Sequence, residues 1–285
     1  MIPQFSNNVL SSFFFWAQHE ITQLGQAYRN KTGSLYYQAD PRLSGFHTYS
    51  SPFKQWVYDK GVSGAIICES VMDSAGISYT RASGIKIDYE NGRVLFPTSF
   101  GTGLSLSGAY SFPDFNFYTT NETQESLLTR ETNYTNPRFG NNGTTPVSPY
   151  SQMTPAAFVT IMNSDNSPFA LGGTDLTKVN GSIVFMAETD YAIEAALSIM
   201  RDSRYKSIPF VSINEDPLNE YNDVKSSILP TGYNYESIKH NATPGSLLEI
   251  SFVQCSRVND RINVDKQIFI GLVDIEIEKV RNPRI

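Results

Sequence analysis

The 285 residues suffice for one large or two modest domains, and 22 Lys and Arg against 28 Asp and Glu leave a net charge of −6. That balance excludes a surface that coats nucleic acid, which needs a basic stripe, yet allows an acidic lumen through which DNA slides without sticking. Charged residues are only 18%, while aromatics reach 13%, with 18 Phe and 16 Tyr, a composition that suits β-structure and aromatic interfaces rather than a helical bundle.

The chain opens with a polar arm over residues 1–8. From Ser6 to about Tyr28, Leu10, Phe13, Phe14, Ala17, Ile21 and Leu24 recur at helical spacing. Ser6, Asn7 or Asn8 is placed to cap this helix, and Gly33 lies beyond its end. The run Phe13-Phe14-Phe15-Trp16 is wider than one stripe. Either the helix is buried in its own fold or part of it docks on a neighbouring subunit. Lys31 to Ser51 reads as loop, Pro52 to Tyr58 as a short helical turn, and Ser63 to Val71 as a buried strand that Ile77 to Thr80 extends.

Ile85, Ile87 and Tyr89 alternate with Lys86 and Asp88, the period of a half-buried strand. Asn91-Gly92 then predicts a type I′ hairpin turn, because both residues tolerate positive φ. Val94 and Phe96 return, and Leu104, Leu106 and Tyr110 predict a third strand interrupted at Gly108, giving a three-stranded meander. Glu122 to Glu131 is a short helix or strand. Asn133 to Ser151 holds Pro137, Gly140, Gly143, Pro146 and Pro149 without periodicity and reads as a linker. The expected division is therefore 1–132, helix plus β-meander; 133–151, linker; and 152–285, an α+β domain.

In the second half, Phe158 to Met162 and Ser182 to Met186 read as strands, with a turn at Leu171-Gly172-Gly173 between them. Thr189 or Asp190 caps a helix to about Asp202, with Ile193, Ala196, Leu197 and Met200 on one face. Phe210 to Ile213 is a further strand, Glu215 to Lys239 an extended loop, and Leu247 to Cys255 and Gln267 to Val280 two long strands. Ile275 and Ile277 alternate with Glu276 and Glu278. The whole reads as α+β and β-rich: antiparallel, sandwich-like sheets with a leading helix, then one helix packed on a sheet.

No catalytic motif emerges. Ser51-Pro-Phe-Lys54, Ser203-Arg-Tyr-Lys206, Ser164-Asp-Asn166 and Lys31-Thr-Gly33 match the serine β-lactamase fragments, but in the wrong chain order. His19, His47 and His240 share no ligand spacing with each other or with Cys68 and Cys255, which read as buried reduced thiols. There is no Walker loop, no G-x-G-x-x-G and no G-x-S-x-G elbow. Glu215, Asp216, Glu220 and Asp223 lack the spacing of a calcium loop and read as solvated. The six Asn-x-Ser/Thr sequons, at Asn30, Asn121, Asn133, Asn142, Asn180 and Asn241, follow from an abundance of those residues. No signal peptide or membrane span is expected. Tyr36, Tyr37, Phe46, Tyr49, Phe53, Trp56 and Tyr58 fall within a short stretch that reads as local core, as a protein interface or as a glycan platform.

Trp56-Val-Tyr-Asp59, Ser63-Gly-Ala-Ile-Ile67, Gly84-Ile-Lys-Ile-Asp-Tyr-Glu-Asn-Gly-Arg-Val94 and Ala109-Tyr-Ser-Phe112 together resemble structural proteins of tailed bacteriophages. The resemblance covers about residues 50–130 and is to neck and tail-completion components, which close the head–tail junction. The second half is similar in outline to tail-terminator proteins, which form six-fold rings. What this implies is a virion protein assembled in the bacterial host cytoplasm, without catalytic residues, metal or cofactor. Its partners are copies of itself in a ring, the adjacent neck or tail proteins and, only in passage, DNA; no membrane is implied. Ring subunits with head-to-tail contacts need two different sticky faces. Phe13, Phe14 and Trp16 are candidates for one, and Tyr36, Tyr37, Trp56 and Tyr58 for the other. A β-rich adhesion or glycan-binding module of a tail fibre or baseplate is the alternative, and a hydrolase with a cleft base the third.

Overall fold

The structure, a computed structural model, describes residues 4–98, 105–129, 134–135, 152–169, 173–229, 231–258 and 268–282. Helix α1 (Phe5–Leu24) leads into β1 (Tyr28–Tyr37), β2 (His47–Ser50), β3 (Ser70–Asp73), β4 (Ser78–Thr80), β5 (Lys86–Asp88), β6 (Arg93–Phe96) and β7 (Leu106–Pro113). Next come β8 (Asn116–Thr119), α2 (Gln124–Thr129), β9 (Tyr134–Thr135), β10 (Gln152–Met153), β11 (Ala156–Pro168) and β12 (Asp175–Ala187). The chain then runs through α3 (Asp190–Arg201), β13 (Ser207–Pro209), α4 (Tyr235–Asn241), β14 (Leu247–Arg257) and β15 (Phe269–Arg281). The fold is α+β and β-rich, as composition and periodicity predict.

Seven strands form an antiparallel sheet in the order β4-β3-β7-β1-β2-β6-β5. Six form a second sheet, β13-β14-β15-β12-β11-β8, antiparallel except where β8 joins β11. The expected meander is thus only half present. β5 and β6 are a hairpin, but β7 pairs with β1 and β3, not with β6. β1 comes from the stretch that reads as loop. Its residues Arg29 to Ser34 are mostly exposed, so no alternation marks them, and the strand is fixed by backbone pairing from Tyr28↔Pro113 to Leu35↔Leu106. Conversely, most of Ser63 to Val71 is irregular. Gly64 takes φ +84°, and Ile66 exchanges bonds with Ser111, its N–H reaching Ser111 Oγ at 2.6 Å. Pro52 to Tyr58 forms no helix, and the strand expected at Phe210 to Ile213 is instead β13, three residues earlier.

Helix α1 starts with the Gln4 N–H donating to Asn7 Oδ1 at 3.0 Å. Its buried face, Val9, Phe13, Trp16, Ala17 and Ile21, lies on the second sheet, with Phe13 packed over Gly181. Beside it, α3 is capped by Thr189, whose hydroxyl accepts from the Ala192 N–H. It buries Ile193, Ala196, Leu197 and Met200, the four residues that periodicity assigns. The single helix expected on this sheet is therefore a pair. α3 sits where Gly271 leaves room: a Cβ there would lie 2.9 Å from Ile193 and 3.0 Å from Leu197. Both helices cover one face, lined by Val179, Ile183, Phe185, Val273, Ile275 and Ile277. Burying each large apolar side chain of this kind stabilises by about 1.5–3 kcal/mol.

The expected linker falls, apart from β9, outside the described residues. The elements on its two sides share one core, which runs from Val9 and Trp56 through Phe117 to Phe185 and Ile277. β8, which precedes the linker, is a strand of the second sheet.

Candidate functional site

The second sheet has two unlike faces. Among the described residues the face opposite α1 and α3 is covered only at one end, where Leu127 of α2 packs on Phe158, Val184, Met186 and Ile270. Gln124 closes that cover, donating to Ser182 Oγ at 2.6 Å and Asp274 Oδ1 at 3.0 Å. Beyond it no described element lies on the face. The ladder registers put Asp165, Lys178, Glu278 and Glu249 on one rung, Asn180, Glu276 and Phe252 on the next, and Ser182, Asp274 and Gln254 on a third, at the rim of the α2 cover where Gln124 reaches in. Strand alternation makes this outcome unavoidable: Ile275 and Ile277 enter the core, so Asp274, Glu276 and Glu278 face out. Among the described residues five carboxylates, Asp165, Glu249, Asp274, Glu276 and Glu278, share the face with the single ammonium of Lys178. Lys178 bridges Glu276 at 2.9 Å and Glu278 at 2.7 Å. Its hydrogen bond, outweighing desolvation, holds the Glu276 carboxyl below its usual range. The remaining carboxylates leave the face strongly negative.

The aromatic interface candidates fare differently. Phe13, Trp16, Trp56 and Tyr58 are buried in the chain's own core. Trp16 stacks with Phe13, and Trp56 with Tyr110 at 4.3 Å between ring centroids. They are therefore not available to a partner in the folded chain. Phe14 is half-buried against Phe15 and Phe117, and Tyr36 is half-buried on β1. Only Tyr37 is well exposed, at 59%, beside Tyr49 and His47. The sequence does not distinguish an aromatic that fills its own core from one that fills a partner's, because both are apolar at the same spacing.

Two buried polar clusters escape any motif. In the first, His19 on α1 is held from both sides: Nδ1 lies 2.6 Å from Asp59 Oδ2 and Nε2 2.9 Å from Glu236 Oε1. Burial alone lowers an imidazole pKa, but the bonds and charges of Asp59 and Glu236 outweigh it and leave His19 above its ordinary value. A ring with both nitrogens on carboxylates is an imidazolium that ties α1 to the Asp59 turn and to the start of α4. Neither nitrogen is free to act as a base. Asp59 also accepts the N–H groups of Gly61 and Tyr235. A small cavity beside it is lined by His19, Asp59, Tyr58 and Tyr233.

In the second cluster, buried Arg93 donates to Asp88 at 2.7 Å and to Asp40 at 2.8 Å, and Asn222 donates to Asp88 at 2.9 Å. Lys54 is buried nearby, and burial together with the Arg93 charge lowers its pKa to about 8. Asp223, in the acidic stretch read as solvated, is buried instead and forks Arg81 at 2.9 and 2.7 Å. The β-lactamase-like fragments stay apart. Ser51 Oγ is engaged by Trp56 Nε1 and the Phe53 backbone, Ser203 is buried on Ile199 O, Ser164 to Asn166 are on exposed β11, and Lys31 to Gly33 are in the other sheet. Cys68 is buried, with its thiol pushed up to about 12, and Cys255 is half-buried against Leu197 O. Among the described residues no group of His, Cys, Asp and Glu is arranged to hold a metal, and no helix is long and apolar enough to cross a membrane.

No protein-family model matches the chain, and comparison with curated proteins finds no match.

Proposed function

We propose that this chain is a non-enzymatic structural subunit that assembles with its own copies into a ring, of the kind that closes a bacteriophage head–tail junction in the virion. The observation that carries the reading is the open, carboxylate-rich face of the second sheet. A sheet face that carries, among the described residues, only the short α2 at one end, while its other face holds two helices, is either solvent-facing or turned to something that does not stick. Turned inward in a ring, five carboxylates around one lysine, repeated in every copy, give a channel that repels the phosphate backbone. DNA then passes without being held. The polar composition and low charge content elsewhere fit a surface that meets protein neighbours.

The test is DNA retention. The assembled protein is expected not to shift duplex DNA in a gel at moderate salt. Glu249→Lys with Glu278→Lys is expected to bind it with an affinity that falls steeply as salt rises. Binding of duplex DNA by the unaltered protein at physiological salt contradicts the channel reading.

A further inference from the structure

We infer that copies of this chain join edge to edge, with Asn163–Pro168 of one copy hydrogen-bonded antiparallel to Phe252–Arg257 of the next. The inference rests on the assembly reading above and names the contact that would carry it.

The two sheets treat their edges differently. An unpaired strand edge is a template for another chain, and short edge strands are one way to blunt it. The seven-stranded sheet does this at both ends, where β4 and β5 have three residues each. The six-stranded sheet also ends on short strands, β13 of three residues and β8 of four, but they leave most of the long strand beside them uncovered. β8 covers only Ala156–Val159 of the 13-residue β11, and β13 only Leu247–Glu249 of the 11-residue β14. The Tyr205 and Lys206 backbone extends the second cover to Ile250. In each strand a register irregularity follows, between Ile161 and Asn163 in β11 and between Ile250 and Phe252 in β14. Beyond it lie Asn163–Pro168 and Phe252–Arg257, six residues each, with no further strand alongside among the described residues. Neither stretch is shortened and neither carries a lysine; Pro168 and Arg257 blunt only the last residue of each.

Strand direction and facing also match. β11, β12, β15 and β14 alternate in direction. A copy placed alongside by rotation about an axis near the strand direction therefore brings its β14 antiparallel to the first copy's β11. Asn163, Asp165 and Ser167 point to the open acidic face, as do Phe252, Gln254 and Ser256. Side chains must stay on their own face, which leaves registers two residues apart; the one that keeps Pro168, without an N–H, at the end of the join pairs Asn163 with Ser256, Asp165 with Gln254 and Ser167 with Phe252. No like charges meet, and exposed Met162 and Phe252 flank the join.

The join also sets a stagger. Within one copy Gln254 shares a rung with Asp274, Ser182 and Thr160, and Thr160 stands four rungs from Asp165 once the irregularity is passed. Pairing Asp165 with the next copy's Gln254 therefore advances the register by four residues over the four strands from β14 to β11. One residue per strand is the shear that tilts strands by about 36° in a closed eight-stranded barrel. The same contact that joins two copies thus turns the sheet toward closure instead of a flat fibre, and keeps the acidic face on one side.

The full chain carrying Asp165→Cys and Gln254→Cys, with Cys255→Ser to remove the neighbouring thiol, tests this by mild oxidation and a non-reducing gel. Directly opposed positions place Cβ atoms roughly 5 Å apart, close enough to bridge. The expected result is a ladder of cross-linked multimers, roughly tenfold above either single-cysteine variant and above Asp165→Cys with Ser256→Cys, which is two residues out of register. If light scattering finds assembly but the designed pair cross-links no better than the controls, the edge contact is overturned and the ring reading stands. A chain that is monomeric and never cross-links overturns both.

Discussion

Held between Asp59 and Glu236, the His19 imidazole is worth most as a cation, and this gives stability a pH dependence of definite sign. Its folded pKa lies above the ordinary 6.5. Its contribution is therefore fully present below about pH 6.5 and is lost as pH rises through the folded value. Glu236, lowered by His19 and Lys239 against desolvation, contributes above the ordinary carboxyl range and is lost only in acid. The window in which both are charged is near pH 6. His19→Gln should cost about 3 kcal/mol there, most of it from the pair with Asp59, since the half-exposed Glu236 is screened. By pH 9 the difference from wild type should shrink. Urea unfolding at the two pH values checks this, and an equal difference at both contradicts an imidazolium at this site.

At the scale of elements, the β5–β6 hairpin is where local chemistry and tertiary context part. Asn91-Gly92 predicts a two-residue turn, but the loop runs from Tyr89 to Gly92, and of the pair only Gly92 has positive φ, at +61°. Asp88 explains the longer loop: its carboxylate accepts both the Asn91 N–H and the Asn91 side chain while holding Arg93. Gly92 is required twice, for its φ and because a Cβ there would collide with the Phe53 carbonyl. Gly92→Ala should cost about 2–4 kcal/mol, read as a lowered denaturation midpoint at unchanged slope. A change under about 0.5 kcal/mol would mean the loop has another conformation to use. The same contrast decides what the sequence reveals of the fold. α1, α3, β12, β14 and β15 are legible because each buries one periodic face. β1 is not, because its ladder to β7 uses backbone groups that no side-chain pattern reports. Ser63 to Val71 misleads because apolar residues also line irregular segments that cross a core.

For the molecule as a whole, one continuous core binds the leading helix to the second sheet, so the sticky helix surface expected of Phe13 and Trp16 is already occupied. The acidic face was half legible. The alternation of Ile275 and Ile277 with Glu276 and Glu278 announces a two-faced strand. That the charged side stays open depends on α1 and α3 choosing the other side, and on α2 covering only one end. That no described strand lies along the far edges of β11 and β14 depends on how short β8 and β13 are, which no local pattern reports. The central claim, that this chain works as a ring subunit, is met most directly by its mass in solution, measured by light scattering across concentration. The account predicts a discrete closed oligomer, a hexamer or a multiple of it, whose mass stays fixed as concentration rises. A mass that remains that of one 31.8 kDa chain throughout, or that grows without limit, contradicts it.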